Sequence, residues 1–218
     1  MLLKKIKNII KRKLVRVIVW DFDDTLYINS QVGEALKKGY YNYLNKNLNK
    51  KISTKEFDQL IKQHGRWSKA VAKKLNKKEL DVINYVEEKV DKSKLLKPNK
   101  KLVKQLEKLN SYQHLILSNT PKAELEKCLK KIGFKKNKKL VFSPFTKIID
   151  CNETKSLKPN LAPFKKVLTE TKLFPKMILM VGDSYKNDIE PAKKLGFQAI
   201  LVDELKDFLG IKLENKCK

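Results

Sequence analysis

The feature that most constrains this chain is a set of apolar runs, too short for helices and too continuous for half-exposed strands. Val15 to Trp20 is β-branched or aromatic except at Arg16. "HLILSNT" runs into Ser118, Asn119 and Thr120, "MILMVGDS" runs into Gly182, Asp183 and Ser184, and "AILVD" covers residues 199–203. Runs of this kind suit strands buried on both faces, as in a parallel sheet. "LVFSPF", from Leu140, is expected to be a fifth, shorter strand. Helical patterns lie between them: Lys122 to Ile132 closed by Gly133, Leu161 to Thr171 ending before Pro175, and Ile189 to Leu195 closed by Gly196. Strands alternating with helices of this length imply an α/β core, a parallel sheet with helices on both faces.

Residues 29–97 break the rhythm. "SQVGEALKKGYYNYL", "STKEFDQLIKQH" with Ser53 or Thr54 as cap, and "NKKELDVINYVEEKV" read as helices, and no buried strand stands among them. The expected organisation is therefore a core from residues 1–28 and 98–218, with residues 29–97 as an inserted helical domain. The 218 residues suffice for both.

In parallel α/β sheets ligands bind beyond the carboxyl ends of the strands. Beyond the first run stand Asp21, Asp23 and Thr25; beyond the second, Ser118 and Asn119; beyond the third, Asp183 and Asp188 in "GDSYKND". Lys158 of "SLKPN" lies in the connection between the last two. Alternate residues of an extended chain share a face, so Asp21 and Asp23 point one way and Phe22 the other. Two neighbouring carboxyls can then divide the work, one ionised as nucleophile and the other carrying a proton as general acid. With Asp183 added, the cluster calls for a hard cation; oxygen-only ligands with a phosphate as co-ligand indicate Mg²⁺.

These residues, in this order, resemble the haloacid dehalogenase-like hydrolases. The family's DxDxT motif matches Asp21 to Thr25, its second motif Ser118, its third Lys158, and its GDxxxxD motif Gly182 to Asp188. "SNTPKAELEKCLKKIGF", "KPNLAPFKKVL" and "VGDSYKNDIEPAKKLGF" extend the likeness over residues 15–28 and about 98–205. The resemblance implies a Rossmann-like core, with the helical insert standing where the family's C1 caps stand and closing over the substrate. It implies that Asp21 attacks phosphorus, that Asp23 protonates the leaving oxygen and later activates water, that Ser118 bonds the phosphoryl oxygens and that Lys158 offsets their charge. Thr25, Ser118, Asn119 and Lys158 are the candidate phosphate-binding residues. Mg²⁺ is expected on Asp21 and Asp183, on the backbone carbonyl of Asp23, and near Asp188. An acid at Asp23 favours phosphate chemistry over dehalogenation, where no alkoxide leaves. Arg66, in "HGRW" of the insert, is the candidate specificity residue. The expected activity is Mg²⁺-dependent hydrolysis of a small phosphorylated metabolite or nucleotide through an aspartyl-phosphate.

The charge pulls another way. Fifty Lys and Arg against 24 Asp and Glu give +26, which would suit a polyanion. Only Arg12, Arg16 and Arg66 are arginines, however, and the lysines run along the whole chain with no interleaved aromatic stripe. Nucleic acid is thus not the favoured partner. The alternative reading keeps the scaffold and makes it polyanion-directed, as a nucleic acid 5′-phosphatase or a non-catalytic binder of nucleic acid or a membrane surface. Cys128, Cys151 and Cys217 match no zinc spacing and fit a reducing compartment. No apolar run could span a bilayer and no signal-peptide pattern is evident, so the cytoplasm is expected. Residues 1–14 carry Leu2, Leu3, Ile6, Ile9, Ile10 and Leu14 at helical spacing, an amphipathic helix expected to lie on the core, or alternatively on an anionic membrane.

Overall fold

A computed structural model describes residues 14–137 and 142–202. The expected amphipathic helix, apart from Leu14, and Cys217 lie outside the described residues. The chain divides into two compact units, one made of residues up to Ile28 and from Leu96 onward, the other of Asn29–Leu95.

The first unit is built on five parallel strands: β1 Val17–Trp20, β2 Gln113–Leu117, β3 Phe145–Ile149, β4 Ile178–Gly182 and β5 Gln198–Leu201, in the order β3-β2-β1-β4-β5. β1 is central because it is apolar on both faces: all four residues are buried, paired to β2 from Val17↔Gln113 and to β4 from Val17↔Ile178. One face carries Val17, Val19, Leu115, Leu117, Ile178 and Met180, packed with Phe164, Val167, Ala192 and Phe197. Each such side chain is worth about 1.5–3 kcal/mol when withdrawn from water. Phe164 and Val167 come from α8 (Leu161–Thr171) and Ala192 from α9 (Glu190–Lys194). Strand alternation turns Ile18, Trp20, Ile116, Leu179 and Val181 to the other face.

The edge strand is not where the apolar run suggests. "LVFSPF" contributes only Phe142, in an isolated bridge with Lys136, and Phe145; β3 begins there and continues through Thr146 and Lys147. Pro144 cannot donate to the ladder, so regular pairing starts after it. Edge exposure then tolerates a polar centre in which Lys147 meets Glu153 and Glu170. The helices α5 (Lys100–Glu107) and α6 (Lys122–Ile132) meet where Asn99 N–H donates to Ile132 O, and α6 ends on Gly133 in the left-handed region, as its sequence implies. A one-turn α7 (Cys151–Thr154) follows β3.

The second unit is helical: α1 Ser30–Lys46, α2 Thr54–His64, α3 Trp67–Lys74 and α4 Glu79–Lys89, then a 3₁₀ turn Lys92–Leu95. α2 opens with a reciprocal box in which Ser53 and Glu56 cap each other's backbone, and closes on left-handed Gly65. Leu36, Tyr40, Leu44, Phe57, Val71, Val82 and Val86 form its interior. α3 shows no periodicity long enough to read from sequence; Trp67 anchors it against Tyr40.

Candidate active site

Each strand end delivers its residues by continuing the ladder one step past the regular pairing. Asp21 N–H still donates to Val181 O (2.8 Å), and Ser118 N–H to Ile149 O (3.1 Å), so both side chains are fixed by the sheet itself. Phe22 turns into the interior, fully buried, as alternation requires. The chain then closes a tight loop: Leu26 N–H returns to Phe22 O, Asp24 takes φ +56° and Asp23 pairs with Tyr27. Aspartate tolerates the left-handed region better than most residues, which accounts for Asp24 in the turn.

At the end of β4, Gly182 has a steric reason. A Cβ there would lie 2.5 Å from Cβ and Cγ of Asp188, so only glycine lets Asp188 fold back against the strand end. Asp188 is fully buried; its Oδ2 accepts from Ser184 N–H (3.1 Å) and its Oδ1 from Lys158 Nζ (2.6 Å). Lys158 Nζ also donates to Asp21 Oδ1 (2.7 Å). The loop that carries it is held from across the sheet: Lys158 N–H donates to Asn119 Oδ1 (2.8 Å), and Asn119 Nδ2 donates back to Lys158 O (3.2 Å).

Asp21, Asp23, Ser118, Asn119, Lys158, Asp183 and Asp188 surround one cavity of about 280 Å³. Thr25 stands behind it: the residue is completely buried, and its hydroxyl points to Asp21 Oδ2 at 3.5 Å, a weak contact. Arg66 belongs to the helical unit, where its guanidinium grips Glu79 through Nε (2.8 Å) and Nη2 (3.2 Å). Sequence reading passed over two hydroxyls. Thr120 Oγ1 donates to Asp23 Oδ2 (2.6 Å), and Tyr27 OH donates to Asp23 Oδ1. It also passed over Asp150, whose Oδ2 accepts from Lys122 N–H (2.8 Å) and whose Oδ1 caps α7, tying the start of α6 to the end of β3.

Carboxylate oxygens of Asp21, Asp183 and Asp188 lie within 4.8 Å of one another. Lys158 pairs with Asp21 and Asp188, and the Asp183 carboxylate lies close to both in a largely buried place. Burial pushes the Asp21 carboxyl well above the usual range, Asp188 and Asp183 push it the same way, and the Lys158 ammonium opposes them. Burial alone would lower Lys158, but Asp188 and Asp21 outweigh it and hold the ammonium charged beyond the ordinary lysine range. A donor set of oxygens only, with like charge crowded together, fits a hard divalent cation.

Solved structures share this architecture. CbbY from Rhodobacter sphaeroides, in complex with phosphate, superposes with a TM-score of 0.62 at 16% identity, covering 86% of this chain and 85% of that one. A HAD phosphatase from Thermococcus onnurineus gives 0.55 at 20% identity over 90% and 98% of the two chains. L-2-haloacid dehalogenase from Xanthobacter autotrophicus gives 0.53 at 16% identity over 85% and 76%. Comparison with curated protein sequences returns no match. Among the described residues no helix is long and apolar enough to cross a membrane. The sequence model of the haloacid dehalogenase-like hydrolases matches residues 18–202, from the strand that carries Asp21 to the strand beyond Asp188, and the chain belongs to that family.

Proposed function

We propose that the protein is a cytoplasmic, Mg²⁺-dependent phosphomonoester hydrolase working through an aspartyl-phosphate on Asp21. Structural neighbours include both a phosphatase and a dehalogenase, so fold alone does not choose between them. Asp23 carries the choice. It lies two residues past Asp21 on the same cavity, and hydrolysis of a phosphate ester needs an acid there to release an alkoxide.

An Asp21 oxygen attacks phosphorus while the ester P–O bond breaks, and Asp23 gives its proton to the departing oxygen. Water then attacks phosphorus, Asp23 takes a proton from it, and inorganic phosphate leaves with the Asp21 carboxylate restored. Lys158, already against Asp21, offsets charge on the phosphoryl oxygens, and Ser118 donates to one of them. Asp21 and Asp183, with Asp188 close by and the carbonyl of Asp23, would hold Mg²⁺. The ion supplies further positive charge to the phosphoryl group. The cavity suits a small phosphorylated substrate, and CbbY, a fold neighbour, was solved with phosphate. Selection among such substrates is assigned to the helical unit, with Arg66 its candidate residue.

The test uses p-nitrophenyl phosphate and a chlorinated carboxylic acid side by side. Phosphate release that needs Mg²⁺, stops with a chelator and falls about 10⁴-fold or more in Asp21→Asn is expected. Halide release, or an Asp21→Asn variant as fast as the wild type, would overturn the reading.

A further inference from the structure

The carboxyl that must deliver a proton is held from two sides by residues outside the family motifs. Asp23 Oδ1 accepts from the phenol of Tyr27, and Oδ2 accepts from Thr120 Oγ1 at 2.6 Å. The two donors come from different segments: Tyr27 from the loop after β1, and Thr120 from the turn after β2. Both are well anchored. Tyr27 is 8% exposed, its ring packs edge-on against Phe22 with centroids 5.2 Å apart, and its backbone pairs with that of Asp23. Thr120 is 3% exposed, and its N–H donates to Ser118 Oγ at 3.1 Å.

A carboxyl on a free side chain turns about two bonds, and proton delivery needs it within hydrogen-bond reach of one particular oxygen. One hydroxyl on each Asp23 oxygen removes that freedom. A carboxyl oxygen can accept two hydrogen bonds, so one from a hydroxyl is compatible with the same oxygen carrying the proton or meeting the substrate. We propose that Tyr27 and Thr120 are positioning residues that hold the Asp23 carboxyl where it passes its proton to the leaving oxygen. The inference rests on the phosphatase reading of the site. In the step concerned, an Asp21 oxygen bonds to phosphorus, the ester P–O bond breaks with its electron pair going to the leaving oxygen, and the Asp23 proton goes to that same oxygen. Ser118 gains a role too, since its hydroxyl links the phosphate-binding side of the cavity to the clamp through Thr120.

A merely structural hydroxyl and a positioning one are separated by the leaving group. Dinitrophenolate leaves without a proton, whereas the alkoxide of glycerol phosphate does not. For a two-step hydrolysis kcat/KM reports only the phosphorylation of Asp21, so later water attack does not enter. Tyr27→Phe keeps the ring against Phe22 and removes only the hydroxyl. Its kcat/KM should fall about 10- to 100-fold with glycerol phosphate and less than about threefold with dinitrophenyl phosphate, in the presence of Mg²⁺. Thr120→Val should show the same selectivity and Thr120→Ser should restore the wild-type ratio, which keeps the test open if one variant misfolds. Equal losses on both esters in Tyr27→Phe and Thr120→Val, or no loss on either, would overturn the clamp while leaving the phosphatase reading intact. Failure of the wild type to hydrolyse dinitrophenyl phosphate, or full activity in Asp21→Asn, would overturn both.

Discussion

Two lysines in this protein are buried to the same degree and serve opposite ends. Lys92 of the helical unit is fully buried and meets Glu87 at 2.9 Å; Lys158 of the α/β unit is 3% exposed and sits between Asp21 and Asp188. Lys92 and its partner are five residues apart, the end of α4 answering the turn that follows it. Lys158 and Asp21 are 137 residues apart, and their contact exists only when β1, β4 and the loop before α8 have come together. The charge balance differs as well. In the first case the ammonium meets the Glu87 carboxylate; in the second it meets two, Asp21 and Asp188, with an oxygen of Asp183 within 4.8 Å of theirs, beside a cavity of about 280 Å³. A burial cost of several kcal/mol per ion applies to both lysines. The difference is the crowding of like charge next to open space, where a cation could enter.

The largest expected effect attacks the balanced pair. Glu87→Gln leaves the Lys92 ammonium buried beside a neutral amide and should cost about 3–5 kcal/mol, read as a lower urea midpoint at unchanged slope. A variant as stable as the wild type would show that Glu87 is not what keeps Lys92 charged inside. The next largest attacks the crowding. Mg²⁺ at about a hundredfold over its dissociation constant should stabilise the folded wild type by about 2.7 kcal/mol, visible as a rise in melting temperature. Asp183→Asn should lose most of that rise and Glu87→Gln should keep it. A wild-type melting temperature indifferent to Mg²⁺ would remove the three carboxylates from consideration as a cation site.

The two units also differ in how far their sequence reveals them. The parallel core was legible because buried strands are unbroken apolar runs, and because strand ends in such sheets are where polar residues collect; Asp21, Ser118, Asp183 and Asp188 are candidates on that ground, whereas Lys158, in a connecting loop, is a candidate only through the family resemblance. The edge strand was not legible, since Phe145–Ile149 has a lysine at its centre and Pro144 before it. Within the site, residue types with their own chemistry stood out, whereas those acting through another residue did not. Asn119 lines the cavity, and both ends of its amide bind the backbone of Lys158, a contact that no spacing in the sequence shows. Thr25 lies buried behind Asp21, a place its position in the motif does not show. Tyr27 and Thr120 are 93 residues apart, and nothing in composition or period brings them to one carboxyl. Gly182 was visible as part of a motif, but its reason, the Asp188 side chain against its Cα, is purely three-dimensional.

A third buried group completes the comparison, since His114 has taken the other solution and stays neutral. It is fully buried, stacked on Trp20 with centroids 6.1 Å apart and 7° between planes. Trp20 Nε1–H donates to its Nδ1 (3.0 Å), so Nδ1 carries no proton and Nε2–H donates to Leu109 O (2.9 Å). Indole and carbonyl give it no negative charge, and burial lowers its pKa below the ordinary 6.5, outweighing the Leu109 carbonyl, which pulls the other way. A basic group whose folded pKa is depressed takes up its proton more readily in the unfolded chain. Its contribution to stability is therefore complete above about pH 6.5 and is lost as pH falls below that, by up to about 1.4 kcal/mol per pH unit until the folded pKa is reached. His114→Gln can still accept from Trp20 and donate to Leu109 but cannot titrate in this range. The wild type should lose more stability than the variant between about pH 7 and about pH 5.5 in urea unfolding, with a slope difference of at most about 1.4 kcal/mol per pH unit. Parallel slopes in the two proteins would show that His114, beside β1 in the sheet, does not cause the acid sensitivity; Asp21 could not replace it, since a carboxyl pushed upward in the folded state gains stability as pH falls.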